Sequence, residues 1–465
     1  MLDGISKKKP NKSVKSSEPS HNNSNKPGFI LNSVRKSKLN FTKIIIAVVC
    51  VILISIISVY ANDNLVNVRD QMDFVKLFNN GKYLIVFQNN AEARATGGFI
   101  GSYAILDIQH GKIKNLEIET NIYKKDNYYD YILKRIAPEP LASWHKNEGN
   151  PYWSMRDSNW AIDYPESARE IAWFYKNQGG QEVDGVIAIN ATFVRDLLKV
   201  LGPVNLPQYS QTITSENFFD VLHEEIEKKY WENEENILIN EPKTILKDMY
   251  DVLKDRIFDK SNRNIIYNYI FQKLNEKEIL IYFKNSLIQK IVSSKKWSGE
   301  VIKTEKDYLY VNNSNLGGMK SSLNMAQDVK LISNIDSGKI INRITIVRSH
   351  LGDGTWPDGN NRNYTRILVP HGSKLISASM DNVSAIDYIN IGTEAGKQVF
   401  GVWFTVPIGQ TRILSIEYEL PEIAKSEDYE LYIQKQPGSS NTQIEAIFNG
   451  QVLYDNTLDK DLILK

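Results

Sequence analysis

The stretch "QNNAEARATGGFIGSYAILDI", residues 88–108, decides how the first half of the chain folds. It follows the apolar run "YLIVF" and ends in alternating apolar and polar residues, so it predicts two strands joined by a polar turn. The turn contains Arg94 and the pair Gly97 and Gly98. Glycine lets backbone N–H groups approach an anion, and a guanidinium can clamp it. We therefore expect ligand-binding groups at the end of the first strand.

The segments around this turn predict a three-layer α/β/α domain. "KIKNLEIET" predicts a strand that pairs with "GSYAILDIQ" around the turn "HG", and "VDGVIAIN" predicts a fully buried strand. "YPESAREIAWFYKNQGG" and "TFVRDLLKVLG" predict helices, because Pro165 suits a first helical turn and Gly202 suits a helix end. Strands and helices thus alternate along this region.

The rest of the chain predicts a helical insertion and then a second domain. Residues 214–297 are mainly helical in pattern, interrupted by the strand "EILIYF", and their charge-dense faces are interpreted as solvated. "DYLYVNN" predicts the last strand of the first domain, which we place at 62–327. Residues 328–465 lack helical periodicity, and alternating segments such as "TRILSIEYELP" predict a C-terminal antiparallel β-sandwich with a structural or adhesive role.

The N-terminal residues predict a membrane anchor. Ile44–Ala61 is uncharged and apolar, long enough at 1.5 Å per residue to cross the hydrocarbon core. We therefore predict a transmembrane signal anchor at 43–61, with a buried core helix and a cleaved signal peptide as the alternatives. The lysine-rich residues 1–42 predict a disordered cytoplasmic tail, so the bulk of the chain would be extracytoplasmic, at the cell membrane. The predicted class is α/β with an N-terminal transmembrane helix.

Composition excludes several functions. The chain has 56 basic and 55 acidic residues, and this balance argues against a nucleic-acid partner. One cysteine, Cys50, allows no intramolecular disulfide, and no His pair has zinc-ligand spacing. "TGGFIGS" lacks the spacing and the lysine of a phosphate-binding Walker loop.

With this organisation in place, the sequence resembles the bacterial family called domain of unknown function 4012. The resemblance rests on "LIVFQNNAEARATGGFIGSYAILDIQHGKI", "RDSNWAIDYPESAREIAWFYKNQGG", "VDGVIAINATFVRDLLKVLGPV", "DYLYVNNSNLGGMKSS" and "QKQPG". It extends from about residue 82 to the C-terminal sheet. The family name implies no activity, so the resemblance indicates a membrane-anchored envelope protein and no reaction.

The order of elements also resembles the LytR-CpsA-Psr enzymes of the cell wall. That family moves glycopolymers from a polyprenyl pyrophosphate carrier to peptidoglycan, with arginines on the pyrophosphate and aspartates on a divalent metal. The resemblance implies similar roles at the end of the first strand and at "YKKD", where Lys124, Lys125 and Asp126 occupy the place of that family's Arg-Asp motif without an arginine. Asn89 and Asn90 occupy positions where that family has Asp. The cofactor stays unassigned: the enzyme alternative would use Mg²⁺, which Asp157 would hold unless it acts as the base.

Three groups of residues are candidate site residues. Arg94, Thr96, Gly97 and Gly98 could form an anion cradle, or a structural turn in which Arg94 pairs with a carboxylate such as Glu92. Arg156, Asp157 and Asn159 precede a helix whose N-terminus would favour anions, and Asp163 would cap that helix. Lys320 lies in a polar glycine turn with Asn315, Gly317 and Gly318, for which a β-bulge or interdomain turn is the alternative. The predicted ligand-binding residues are Asn89, Asn90, Glu92, Thr96, Gly97, Gly98, Asn159 and Lys320.

Two functional hypotheses follow. The first is an envelope protein that binds an anionic, glycan or polyprenyl-linked ligand without converting it, with the membrane and peptidoglycan as partners. The second is a phosphotransferase that attaches glycopolymers to the cell wall, with Arg94, Arg156 and Asp157 as catalytic residues. Geometry separates them, because the enzyme requires these three side chains to converge in one pocket.

Overall fold

The computed structural model describes residues 77–234, 236, 242–422, 429–439 and 442–465, all within one compact unit. Elements are numbered in chain order. The strands of the first half are β1 Gly81–Arg94, β2 Gly97–Gln109, β3 Lys112–Glu119, β4 Gly185–Asn190, β5 Val204–Leu206, β6 Gln211–Ile213 and β7 Ile279–Phe283. Its helices are α1 Tyr123–Leu133, α2 Leu141–Asn147, α3 Tyr164–Asn177, α4 Ala191–Leu201, α5 Phe218–His223, α6 Thr244–Phe258, α7 Arg263–Asn275 and α8 Ser286–Ser294.

Five of these strands form a mixed sheet in the order β3-β2-β1-β4-β7. β1 and β4 run parallel, and the other neighbouring strands run antiparallel. Side chains alternate along β1, so Leu84 and Val86 pack with α3 residues such as Ile171, whereas Ile85 packs with α4 residues such as Leu197. Helices therefore cover both faces of the sheet.

The second half contains two sheets packed face to face. Its strands are β8 Asp307–Asn315, β9 Met325–Asp336, β10 Lys339–His350, β11 Asn363–Val369, β12 Lys374–Met380, β13 Val383–Ser384, β14 Asn390–Glu394, β15 Lys397–Trp403, β16 Thr411–Glu419, β17 Leu431–Ile433, β18 Thr442–Phe448, β19 Gln451–Thr457 and β20 Leu462–Leu464. One sheet has the order β13-β12-β16-β10-β9-β18-β19 and the other β14-β15-β11-β8-β17-β20. Buried side chains such as Ile344, Ile346 and Phe400 fill the core between them.

The fold class predicted from the sequence is wrong as stated. None of the helices within the described ranges has the length and apolar character that a membrane crossing needs. The predicted anchor at 43–61 and the tail at 1–42 lie outside the described residues. The C-terminal sheets are not purely antiparallel, since β17 runs parallel to β8 and β18 runs parallel to β9.

The structure also differs from the predicted division of the chain at residue 328. β8, assigned from its sequence to the first domain, lies inside the six-stranded sheet between β11 and β17. β9 begins at Met325, within the seven-stranded sheet. The strand pattern alone did not show which sheet β8 joins, because its pairing partners are more than 40 residues away along the chain.

Candidate functional site

The first strand continues through the segment that was predicted to be a turn. β1 extends to Arg94 and pairs with β2 through irregularities at Phe87/Gln88 and at Asn89/Ala93. Asn89 and Glu92 line one cavity, whereas Asn90 and Ala93 line another. The strand end thus separates two cavities.

The glycine pair is explained by close backbone packing. A Cβ on Gly98 would overlap the backbone of Asn89 and Asn90 across the irregular β1–β2 pairing. Gly97 has a φ of +138°, and a Cβ there would overlap the side-chain amide of Asn190. The predicted anion cradle at these glycines is therefore filled by the protein's own groups.

Arg94 is buried in an ion-pair network. Its Nε donates to Oδ1 of Asp157 at 3.0 Å, and its Nη1 donates to the carbonyl oxygens of Ala93 and Asn315. The residue is only 5% exposed. The sequence alternative in which Arg94 pairs with a carboxylate agrees with these contacts, although the partner is Asp157 instead of Glu92.

Asp157 brings the predicted arginines together. Its Oδ2 lies 3.9 Å from Nε of Arg156 and 3.6 Å from Nε2 of His145. Burial alone would raise the pKa of Asp157, but Arg94, His145 and Arg156 hold that pKa well below its usual range. Arg94, Arg156 and Asp157 therefore converge, as charges paired with one another.

Arg156 is also held by two aspartates of α1. Its Nη1 and Nη2 lie 3.4 and 3.5 Å from Oδ2 of Asp126 and of Asp130. Burial raises the pKa of Asp126 to about 6, although Arg156 and a hydrogen bond from Gln178 oppose the shift. Across the described ranges, no three His, Cys, Asp or Glu residues are grouped so that they could hold a metal ion.

Thr96 and Asn159 are fully buried partners of Gln88. The Nδ2 of Asn159 donates to Oε1 of Gln88 at 2.7 Å and to the carbonyl of Gly98 at 2.9 Å. Thr96 donates its hydroxyl to the same Gln88 oxygen at 2.8 Å. The structure thus brings these predicted binding residues together inside the protein, where they fix the end of β1.

Asn90 joins the strand end to two other segments. Its Nδ2 donates to Oγ1 of Thr192 at 3.1 Å and to the carbonyl of Gly438 at 2.9 Å.

Asp163 does not cap its helix with its side chain, because its Oδ1 accepts the N–H of Val301 at 2.8 Å.

One cavity lies at the carboxyl ends of the parallel strands β1 and β4. Gln88 and Asn190 form the last pair of their parallel register, and both line this space. In α/β sheets, ligands collect at this position. The cavity has a volume of about 300 Å³, and its apolar walls include Phe87, Ile189, Phe219, Leu222, Leu246 and Met249. We call it the apolar cavity.

One side of the apolar cavity is charged, and we call Glu92, Glu227, Lys243 and Lys320 its polar wall. The Nζ of Lys320 lies 3.0 Å from Oε1 of Glu92 and 3.1 Å from Oε1 of Glu227. Lys320 and Glu92 were predicted from the sequence to bind ligand. The structure places both at the cavity, paired with each other.

Lys243 is the residue of the polar wall that the sequence did not reveal. Its Nζ donates to the carbonyl oxygen of Gly101 at 2.6 Å. A Cβ on residue 101 would come within 2.7 Å of this nitrogen, so the glycine makes room for the ammonium. Burial lowers the pKa of Lys243 to about 8. The negative charge of Glu227 opposes this shift, and the positive charge of Lys320 adds to it. Lys243 directly precedes α6. A charged residue beside a helix start does not by itself indicate a binding site, so the sequence did not identify Lys243.

A histidine also lines this cavity. The Nε2 of His223 is buried and has no hydrogen-bond partner among the described residues. Burial lowers the pKa of His223 to about 4, and Lys320 adds to the shift. The imidazole is therefore neutral at pH 7.

Comparisons with known proteins identify a family and no activity. A family model described as "Protein of unknown function (DUF4012)" matches residues 79–226. The resemblance to LytR-CpsA-Psr enzymes is not confirmed. No curated protein matches the sequence.

Similarities to solved structures are weak. A candidate nutrient-binding protein of Legionella pneumophila is 8% identical, over 30% of this chain and 54% of that chain, with a TM-score of 0.22. An M1 zinc metallopeptidase of Deinococcus radiodurans is 12% identical, over 26% and 32% of the two chains, with a TM-score of 0.17. Leukotriene A4 hydrolase of Saccharomyces cerevisiae is 9% identical, over 30% and 28%, with a TM-score of 0.16. The chain spans about half or less of these structures, and such scores carry no argument about fold or function.

Proposed function

We propose that this protein, whose residues 79–226 match the DUF4012 family model, binds one amphiphilic ligand without converting it. The apolar chain of the ligand would occupy the apolar cavity, and a head group with one negative charge would contact Lys243. The ligand class that combines these features in a cell envelope is a glycan joined to a polyprenyl chain by one phosphodiester, which carries a single negative charge.

The apolar cavity is the observation that carries this proposal. Its volume of about 300 Å³ lies at the lower end of the range for small-molecule sites. A cavity lined by leucine, isoleucine and phenylalanine favours an apolar occupant over water. Each methylene that such a ligand buries would contribute roughly 0.8 kcal/mol before the costs of binding.

The polar wall supports a singly charged head group. Lys320 is already neutralised by Glu92 and Glu227. Lys243 has three N–H donors, and the carbonyl of Gly101 uses one of them. A second negative charge on the ligand would face Glu92 and Glu227 without a further cation from this wall.

The phosphotransferase alternative has no specific observation in its favour. Arg94, Arg156 and Asp157 do converge, but none of them lines the apolar cavity. The guanidinium of Arg94 is held by Asp157 and by the carbonyl oxygens of Ala93 and Asn315. A location at the cell membrane stays a prediction that depends on residues 1–61, which lie outside the described residues.

Ligand identification tests the proposal directly. Purified full-length protein, extracted with organic solvent, should release an amphiphile at a near-stoichiometric amount in mass spectrometry. The same protein after delipidation should bind an alkyl phosphate diester and should not bind the corresponding water-soluble diester. Delipidated protein that binds neither compound would contradict the proposal.

A further inference from the structure

Arg348 is a buried cation to which the described part of the chain gives no ion-pair or hydrogen-bond partner. It lies on β10, and only 4% of its surface is exposed. Its Nε and Nη1 atoms are buried and make no hydrogen bond in the described part of the chain. The salt bridges of that part do not include Arg348 either. Buried arginines are normally paired, because an uncompensated buried charge costs several kcal/mol.

Burial lowers the pKa of Arg348, and no neighbouring charge contributes to the shift. An arginine nevertheless keeps its proton at neutral pH, so the guanidinium remains a cation. Among the described residues, none supplies an anion to this guanidinium.

A small cavity lies beside this guanidinium, and we call it the Arg348 cavity. Its volume is about 50 Å³, and its lining includes Arg348, Asn90, Ser322, Gln436, Ser439 and Thr442. One water molecule needs about 10 to 15 Å³ by the same measure, so the space admits a small oxyanion or a few waters. The strand end of β1 separates it from the apolar cavity, since Asn90 faces one and Asn89 faces the other.

Hydroxyl groups in this cavity add hydrogen-bond donors. The Oγ of Ser322 accepts the N–H of Ala93 at 3.1 Å, and Oγ1 of Thr442 accepts Nε2 of Gln327 at 3.5 Å. Neither hydroxyl donates a hydrogen bond to another described residue. An arginine and two hydroxyl side chains that line one cavity match an oxyanion, which accepts several directed hydrogen bonds.

We propose that the Arg348 cavity binds a free oxyanion of the size of phosphate or sulfate. The site takes Asn90 from β1, Arg348 from β10 and Gln436 from the segment after β17. The anion would therefore join the first half of the chain to the second, at a place distinct from the proposed amphiphile site.

Inorganic phosphate is the probe for this proposal. The full-length protein is melted in potassium phosphate, potassium sulfate and potassium chloride at equal ionic strength. We expect the melting temperature to rise with phosphate or sulfate concentration and not with chloride, because a ligand that binds only the folded state stabilises it. An equal rise in chloride would overturn the proposal.

Variants locate the effect. R348M should remove the phosphate-dependent rise in melting temperature. It should also weaken phosphate binding, measured by calorimetry, at least about tenfold. R343M, on the exposed face of the same strand, is the control and should behave as wild type. R348M that keeps the wild-type response would overturn the proposal. T442V removes only a hydroxyl, so it should fold even if R348M does not, and it should weaken phosphate binding several-fold. Unchanged binding by T442V would also contradict the site.

Discussion

Arg94 and Asp157 form a buried ion pair, with Nε and Oδ1 3.0 Å apart and both side chains more than nine-tenths buried. The pair ties the end of β1 to the short 3₁₀ turn at Met155–Asp157. The carbonyl oxygens of Ala93 and Asn315 accept hydrogen bonds from the same guanidinium. Arg94 therefore connects the end of β1, the 3₁₀ turn and the end of β8. Its position indicates a structural role.

Arg94→Ala should therefore destabilise the protein and leave ligand binding intact. Removing one partner of a buried pair costs about 3 to 5 kcal/mol, because the remaining charge stays buried. Urea unfolding measures the loss, with Lys339→Ala as the control, since Lys339 pairs with Glu419 on the exposed surface and should contribute little. A variant that unfolds like wild type but loses an amphiphile would show that Arg94 is a ligand-binding residue after all.

Gly98→Ala should also destabilise the protein. The added Cβ would overlap the backbone of Asn89 and Asn90, which cannot move away as a flexible side chain could. Overpacking of this kind costs roughly 1 to 3 kcal/mol or more. Gly392→Ala is the matched control. Gly392 also lies in a strand, β14, but a Cβ there would meet no atom within 4 Å. If both variants have the wild-type free energy of unfolding, close packing does not explain the glycine.

The end of β1 shows what the sequence could and could not predict. The apolar run "YLIVF" predicted a strand, and the strand is present. Residues 89–94 contain no large apolar side chain, and their strand conformation depends on pairing with β2 and on contacts with distant groups such as the carbonyl of Asn315. Local patterns carry no information about such contacts, so the segment was predicted to be a turn.

The two cavities illustrate the same limit. α6 was interpreted as an amphipathic helix with a solvated face, yet Leu246 and Met249 line the apolar cavity. Arg348 occurs in a strand with ordinary alternation, and nothing in "RITIVRSH" indicates that its side chain lacks a partner. Both findings depend on which elements pack against these residues in three dimensions.

Binding of a charged amphiphile should depend on pH through Lys243. Its pKa of about 8 means that the ammonium is charged below pH 8 and neutral above it. Affinity for an alkyl phosphate diester, whose single charge is constant, should therefore fall as pH rises from about 7 to 9. Lys243→Met should bind more weakly at pH 7 and lose the pH dependence.

An uncharged alkyl alcohol provides the control for this titration. It should bind to the apolar cavity with an affinity that does not change between pH 7 and 9. The same pH profile in wild type and in Lys243→Met would show that another group controls binding.

The position of β8 predicts where the second half can be cut. A fragment of residues 328–465 lacks β8, which lies between β11 and β17 in the six-stranded sheet. It should not unfold cooperatively, whereas a fragment of residues 305–465 should. Circular dichroism during thermal unfolding distinguishes them. A sharp transition for the shorter fragment would support the boundary at 328 that the sequence pattern predicted.

Leu246→Trp should block the apolar cavity. Leu246 projects from α6 into this space and is only partly buried in the surrounding core. A larger side chain can therefore enter the cavity, and filling empty space leaves stability unchanged or raises it. Because the indole would occupy the volume of the ligand chain, the affinity for an alkyl phosphate diester should fall at least roughly tenfold, as for the loss of two buried methylenes.

Leu287→Trp on α8 is the control, since Leu287 is 70% exposed and lies outside the cavity. Wild-type affinity in a folded Leu246→Trp variant would mean that the ligand chain does not bind in this cavity, even if Lys243→Met weakens binding.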